Sequence, residues 1–176
     1  MGLLHGTAIA IAVDPDGPLL GALLRGPSGA GKSSLASSII EQCPWRRSRL
    51  VADDQVEMVV GNGRWIARPP AVLAGQIELF GYGPKPIRSV GEIEIRLVFD
   101  LLPPGEGRGD RILSLTSTVP DADASGRPSA KDTPAPLHLP FFMHCIDPAS
   151  KIRALGRLFI SGQIGPDEAH NTPLHF

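Results

Sequence analysis

The sequence predicts an α/β fold of mixed β-sheets with few helices, and three observations carry that expectation. Twenty glycines and 18 prolines among 176 residues suit short strands joined by turns better than a helical bundle. Several short runs are β-branched or alternate apolar with polar residues, as strands do. Two segments alone keep an apolar repeat near that of a helix.

Thr7 to Val13 is a β-branched, Ala-rich run, and Asp14-Pro15-Asp16-Gly17-Pro18 turns it into a returning strand over Leu19 to Arg25. From Lys32, the stripe Leu35, Ala36, Ile39, Ile40 and Cys43 lies opposite Ser34, Ser37, Ser38 and Glu41, which predicts a helix that Pro44 stops. Arg49 to Ala52 is a short strand ending in two aspartates. Gln55 to Val60 and Arg64 to Ala67 flank Gly61-Asn62-Gly63, a hairpin signal. Gln76 to Phe80 and Glu92 to Leu101 are further strands, the second alternating Ile93, Ile95, Leu97 and Phe99. Leu137 to Ile146 is another strand. Pro148 to Ile160 reads as a helix with Ile152, Leu155 and Leu158 or Phe159 inward and Lys151, Arg153 and Arg157 outward. Residues 119–136 combine prolines and aspartates without periodicity, an exposed flexible loop, and residues 165–176 form a loose tail. Residues 1–176 are thus expected to make one domain.

The formal charge of −1 argues against a nucleic-acid binder, which carries a basic excess. The cluster Arg46, Arg47 and Arg49 reads as a solvated turn. Cys43 and Cys145, without CxxC spacing, suit the core of a protein in a reducing compartment. The apolar start from Leu3 to Val13 lacks the basic region and cleavage pattern of a secretion signal, and no run reaches the roughly 18 apolar residues of a membrane span. A cytoplasmic protein without membrane contact is expected.

Gly26-Pro27-Ser28-Gly29-Ala30-Gly31-Lys32-Ser33 fits GxxxxGK[ST] at every position, between a predicted strand and a predicted helix. Its glycines let backbone N–H groups converge on phosphate oxygens, and the helix N-terminus, with Ser34 in its first turn, adds a favourable dipole. Lys32 is placed to neutralise the β and γ phosphates of ATP while the Ser33 hydroxyl coordinates Mg²⁺. Asp53 and Asp54 end the next strand, where an acid serves such a loop. Adjacent residues of an extended chain point to opposite sides, so the two carboxylates share a role only if the chain turns there. One then polarises a nucleophile and the other holds metal or structure. His5, just before a strand expected beside the loop, is a candidate to tune an aspartate or donate to phosphate. Glu78, on a strand ending at Gly81-Tyr82-Gly83, is a candidate Mg²⁺ ligand.

Taken in order, His5-Gly6-Thr7, the glycine-rich loop, Leu50-Val51-Ala52-Asp53-Asp54 and Ile77-Glu78-Leu79-Phe80-Gly81-Tyr82-Gly83 resemble the C-terminal catalytic domain of bacterial HPr kinase/phosphorylase, over roughly residues 3 to 101. The resemblance implies a P-loop nucleotide-binding core similar to phosphoenolpyruvate carboxykinase. It implies ATP- and Mg²⁺-dependent phosphorylation of a serine of an HPr-like phosphocarrier protein, which regulates carbohydrate and phosphotransferase-system metabolism, and a homo-oligomer. By position, His5 and Lys32 match family active-site residues, Ser33 and Glu78 its Mg²⁺ ligands, and one of Asp53 and Asp54, with Asp54 favoured, the base that takes the serine proton. The chain starts just before the His-Gly motif, so a short form without the regulatory domain is expected. Phe80 replaces an arginine of the family's Glu-Val-Arg-Gly-Leu-Gly signature, Arg111 is a loose counterpart of the arginine linked to dephosphorylation, and the Pro-Gly-Arg-Asn stretch has no match. Kinase activity is therefore expected to exceed phosphorylase activity. Two other readings are an ATP-binding regulatory protein with little transfer and a metabolite kinase.

Overall fold

The computed structural model describes residues 2–79, 81–102, 134–143 and 145–165. Phe80 and Arg111, nearly all of the expected loop over 119–136 and nearly all of the expected tail lie outside them. Among the described residues there are two α-helices and one short 3-10 turn, Ala71–Leu73, and eight strands form one curled mixed sheet.

The apolar run near the start divides at Gly6 into β1 (Gly2–His5) and β2 (Thr7–Ile11). β1 pairs with β5 (Gln55–Gly61), whereas β2 lies between β3 (Leu20–Arg25) and β4 (Arg49–Ala52). Sequence reading took only the second as a strand, because His5 and Gly6 interrupt the apolar pattern. The β2–β3 hairpin turn is closed by Asp14, whose carboxylate accepts the Asp16 and Gly17 amides. Arg47 donates to the Pro15 carbonyl at 2.6 Å and the Gly17 carbonyl at 2.7 Å, so this arginine braces a turn.

β5 and β6 (Arg64–Arg68) form the expected hairpin, with Asn62 and Gly63 both at positive φ, as a two-residue primed turn requires. β7 (Gln76–Leu79) and β8 (Gly83–Pro86) make a separate two-stranded sheet. β9 (Ile93–Leu102) runs parallel to β3 and to β10 (Leu137–Phe142), while its first residues pair antiparallel with β6. A Cβ at Gly21 would overlap the Glu94 carbonyl, so β3 and β9 approach where only glycine fits.

Both faces of the central strands are buried. Ile9, Ile11, Leu20, Ala22 and Leu24 pack on one side with α1 (Lys32–Glu41) and α2 (Pro148–Ile160), and Ala8, Ala10 and Leu23 pack on the other with Val56 and Ala67. Burying each Leu or Ile side chain contributes about 1.5–3 kcal/mol. α1 presents Leu35, Ala36, Ile39 and Ile40 to the core as its pattern predicts. α2 starts at Pro148, with the Asp147 carboxylate accepting the Ser150 amide at 3.0 Å. One expectation fails on this helix: Arg153 is buried, not outward, because its guanidinium lies along the helix and donates to Ser150 Oγ at 3.1 Å. No described helix is long and apolar enough to cross a membrane.

Candidate active site

The glycine-rich loop leaves β3 at Gly26 and enters α1 at Lys32. Gly26, Gly29 and Gly31 have φ of 148°, 78° and 87°, which explains why the tight reversal uses glycine. Two of these positions are also closely packed: a Cβ on Gly26 would lie 3.0 Å from the Leu101 carbonyl, and one on Gly31 would lie 3.2 Å from Met143 Cε. Pro27, Ser28 and Gly29 form the exposed tip. The Ala30 amide donates to the Pro27 carbonyl at 3.2 Å, and the Leu35 amide to the Gly31 carbonyl at 2.9 Å. Ser34 is exposed on the first turn of α1. Lys32 is buried, its Nζ donating to the carbonyls of Gly26 and Pro27, each at 3.0 Å. Burial lowers its pKa, and the Asp54 and Asp53 carboxylates partly offset that effect.

Asp53 is the point where the site is tied together. Its Oδ1 accepts the Thr7 hydroxyl at 2.7 Å and the Ser33 hydroxyl at 2.9 Å, and its Oδ2 accepts the Glu78 amide at 2.9 Å. One buried carboxylate therefore joins β2, α1 and β7. At Asp54 the chain turns with φ of 64°, so the neighbouring carboxylate points elsewhere. It stays 56% exposed beside His5, whose Nδ1 lies 3.2 Å from Asp54 Oδ1 and 3.0 Å from the Asp54 carbonyl. The Gly6 amide also donates to that carbonyl at 3.2 Å, closing the β1–β2 corner on the Asp54 turn.

The structure thus brings His5, Lys32, Ser33, Asp53 and Asp54 into one neighbourhood. Glu78 joins it through its backbone amide, and its side chain is exposed. Among the described residues no group of three or more His, Cys, Asp or Glu side chains is arranged to hold a metal. A Mg²⁺ ion carried by nucleotide phosphates asks less of the protein. The donor set fits that requirement, because the Ser33 proton is committed to Asp53 and its lone pairs remain for a cation.

Sequence reading gives Thr7 no role beyond its place in the His5-Gly6-Thr7 motif, and the signal for one was a lone hydroxyl at the head of an apolar strand. It also missed the group behind the loop: Arg25 Nε donates to Asp100 Oδ1 at 2.8 Å, and His138 Nδ1 lies 3.0 Å from Asp100 Oδ2. These residues sit on three separated strands whose adjacency no local pattern reveals.

No protein-family model matches the chain. A curated HPr kinase/phosphorylase of Clostridium beijerinckii is 37% identical over 102 residues, covering 54% of this chain and 30% of that protein. Its counterparts in Clostridium tetani and Clostridium perfringens are 40% and 39% identical over 80 residues, covering 46% of this chain and 23% of each protein. The chain thus spans less than a third of the length of these relatives. A solved structure of the Hpr(Ser) kinase/phosphatase from Coxiella burnetii matches the fold with a TM-score of 0.69 at 19% identity, covering 94% of this chain and 100% of that one. The chain is thus similar to HPr kinase/phosphorylases in sequence over about half its length, and shares the fold of the Coxiella burnetii protein over nearly all of it.

Proposed function

We propose that the chain is a phosphotransferase domain that moves the γ-phosphoryl group of ATP to a serine hydroxyl of an HPr-like phosphocarrier protein, and so regulates carbohydrate and phosphotransferase-system metabolism. The observation that carries this reading is the division of labour between adjacent aspartates. Asp53 is buried and accepts from three donors, whereas Asp54 is turned outward beside His5. A buried carboxylate already holding three donors has little room to receive a substrate hydroxyl. The exposed one is free to accept a proton.

In this reading residues 1–176 are one catalytic domain with a P-loop core similar to phosphoenolpyruvate carboxykinase. Backbone N–H groups of Gly26 to Ser34 receive the phosphates, helped by the α1 dipole. Lys32 leaves the Gly26 and Pro27 carbonyls for the β and γ phosphates, and its incomplete solvation makes an anionic partner favourable. Asp54 takes the serine proton as the hydroxyl attacks, and His5 orients that carboxylate. Ser33 and Glu78 would hold Mg²⁺, which when bound neutralises charge on the phosphates. Since phosphoryl transfer rests mainly on positioning and electrostatics, these few groups suffice.

The test is incubation with labelled ATP, Mg²⁺ and the HPr-like proteins of the same genome. Serine phosphorylation that depends on Lys32 and Asp54 supports the reading. Tight ATP binding without transfer would favour a regulatory ATP sensor, and no nucleotide binding would reject both.

A further inference from the structure

The geometry points to Thr7 as a positioning residue that acts through Asp53 to prepare the Ser33 hydroxyl for a divalent cation. The inference rests on the proposed nucleotide reading. It adds a residue to which neither the motif nor the resemblance gives a role.

Thr7 is fully buried at the head of β2, followed by the apolar run Ala8 to Ile11. A hydroxyl in that setting is unfavourable unless it is bonded, and valine has nearly the same shape without the polar atom. Its hydrogen bond goes to Asp53 Oδ1 at 2.7 Å. The same oxygen accepts Ser33 Oγ at 2.9 Å, and the opposite oxygen accepts the Glu78 amide.

The terminal torsion of an aspartate is broad and roughly two-fold. Donors on both oxygens are what fix its plane, and Thr7 is the buried one on the Oδ1 side. A hydroxyl has one proton and two lone pairs, so a fixed acceptor for the Ser33 proton leaves those lone pairs in a fixed direction. Without Thr7 the Oδ1 side keeps only the rotatable Ser33 hydroxyl beside the Glu78 amide on Oδ2, so the carboxylate plane is held less firmly and the Ser33 hydroxyl shifts with it. Thr7 and Asp53 then stand to Ser33 as outer partners stand to metal ligands elsewhere, where their loss costs about 10–100-fold in metal affinity.

The experiment titrates Mg²⁺ into the whole protein with a non-hydrolysable fluorescent ATP analogue and measures analogue affinity without metal in parallel. Thr7→Val should raise the Mg²⁺ midpoint by about 10-fold or more with metal-free affinity unchanged, and Thr7→Ser should restore the wild-type midpoint. A Thr7→Val protein with native circular dichroism and the wild-type midpoint would overturn the inference. So would equal losses with and without metal, which would mean that Thr7 shapes the whole loop. Should Thr7→Val not fold, Thr7→Ala against Thr7→Ser makes the same comparison. A wild-type protein that binds no analogue overturns the nucleotide reading itself, whereas normal wild-type binding with an unshifted variant overturns only the role of Thr7.

Discussion

Asp53 and Asp54 are consecutive, yet the first is 5% exposed with three hydrogen-bond donors and the second is turned out by a positive φ to lie beside His5. The pair is a hinge between structure and chemistry, and substitution should separate the two functions. Asp54→Asn should lower serine phosphorylation by about 10²–10⁴-fold while nucleotide affinity and folding stability stay near wild type. Asp53→Asn should instead destabilise the fold by about 1–3 kcal/mol, because one carboxylate oxygen becomes an amide facing donors. Urea denaturation beside a transfer assay separates these patterns, and identical behaviour of the two variants would count against the assignment.

Lys32 is a buried cation whose hydrogen-bond partners among the described residues are two carbonyls. Lys32→Met should abolish detectable transfer and weaken ATP binding at least about tenfold, yet leave Tm within a few degrees of wild type, because removing an incompletely solvated charge offsets the lost hydrogen bonds. Calorimetry with and without ATP checks both halves.

Burial would raise the Asp100 pKa, but the hydrogen bond to His138 and the Arg25 guanidinium outweigh it and hold the carboxyl below its ordinary value. A depressed acid stabilises the fold above the pKa it has in the unfolded chain, about 3.9, and loses that contribution as pH falls through its folded value. Wild type should therefore be more stable than Asp100→Asn at pH 6, by the lower end of about 1.5–3 kcal/mol given the partial exposure of the pair. The gap should begin to narrow below about pH 4 and close as pH falls through the lower folded value. Denaturant midpoints across that range measure it.

Phe80 stands where the related signature has arginine. Phosphate-dependent removal brings a second anion against a phosphoserine, which calls for fixed cationic donors. Forward transfer should exceed the reverse reaction, and Phe80→Arg should raise the reverse rate. Pyrophosphate release from phosphorylated carrier and millimolar phosphate reports it, and a wild-type reverse rate equal to the forward rate would refute the expectation.

Gly21→Ala should cost several kcal/mol or prevent folding, because the added Cβ overlaps the Glu94 backbone where β3 meets β9. Soluble yield and thermal unfolding test this.

Much of the site was legible because its parts are local in sequence. The glycine-rich loop with Lys32 and Ser33, the helix to Glu41 and the Asp53-Asp54 strand end all lie where periodicity and turn chemistry place them. What could not be read was which strands become neighbours. The pairing of β9 with both β3 and β10, and hence the Arg25, Asp100 and His138 group, depends on contacts between distant residues. The positive φ of Asp54 escaped for another reason: aspartate tolerates that conformation without announcing it. Arg153 was misplaced because a charge at a helical position reads as solvent-facing until its neighbours are known.

The packing of Met143 against Gly31 bears on how the molecule is made. The glycine-rich loop leaves the ribosome ahead of β10, and a wall of it, together with β10 alongside β9, is supplied only when the chain has grown past residue 143. Until then the partial chain carries β9 with one edge largely unpaired, a surface prone to pairing with other chains. Competence to hold the proposed nucleotide should thus arise only once β10 has emerged, and nascent chains stalled before β10 should depend most on chaperones.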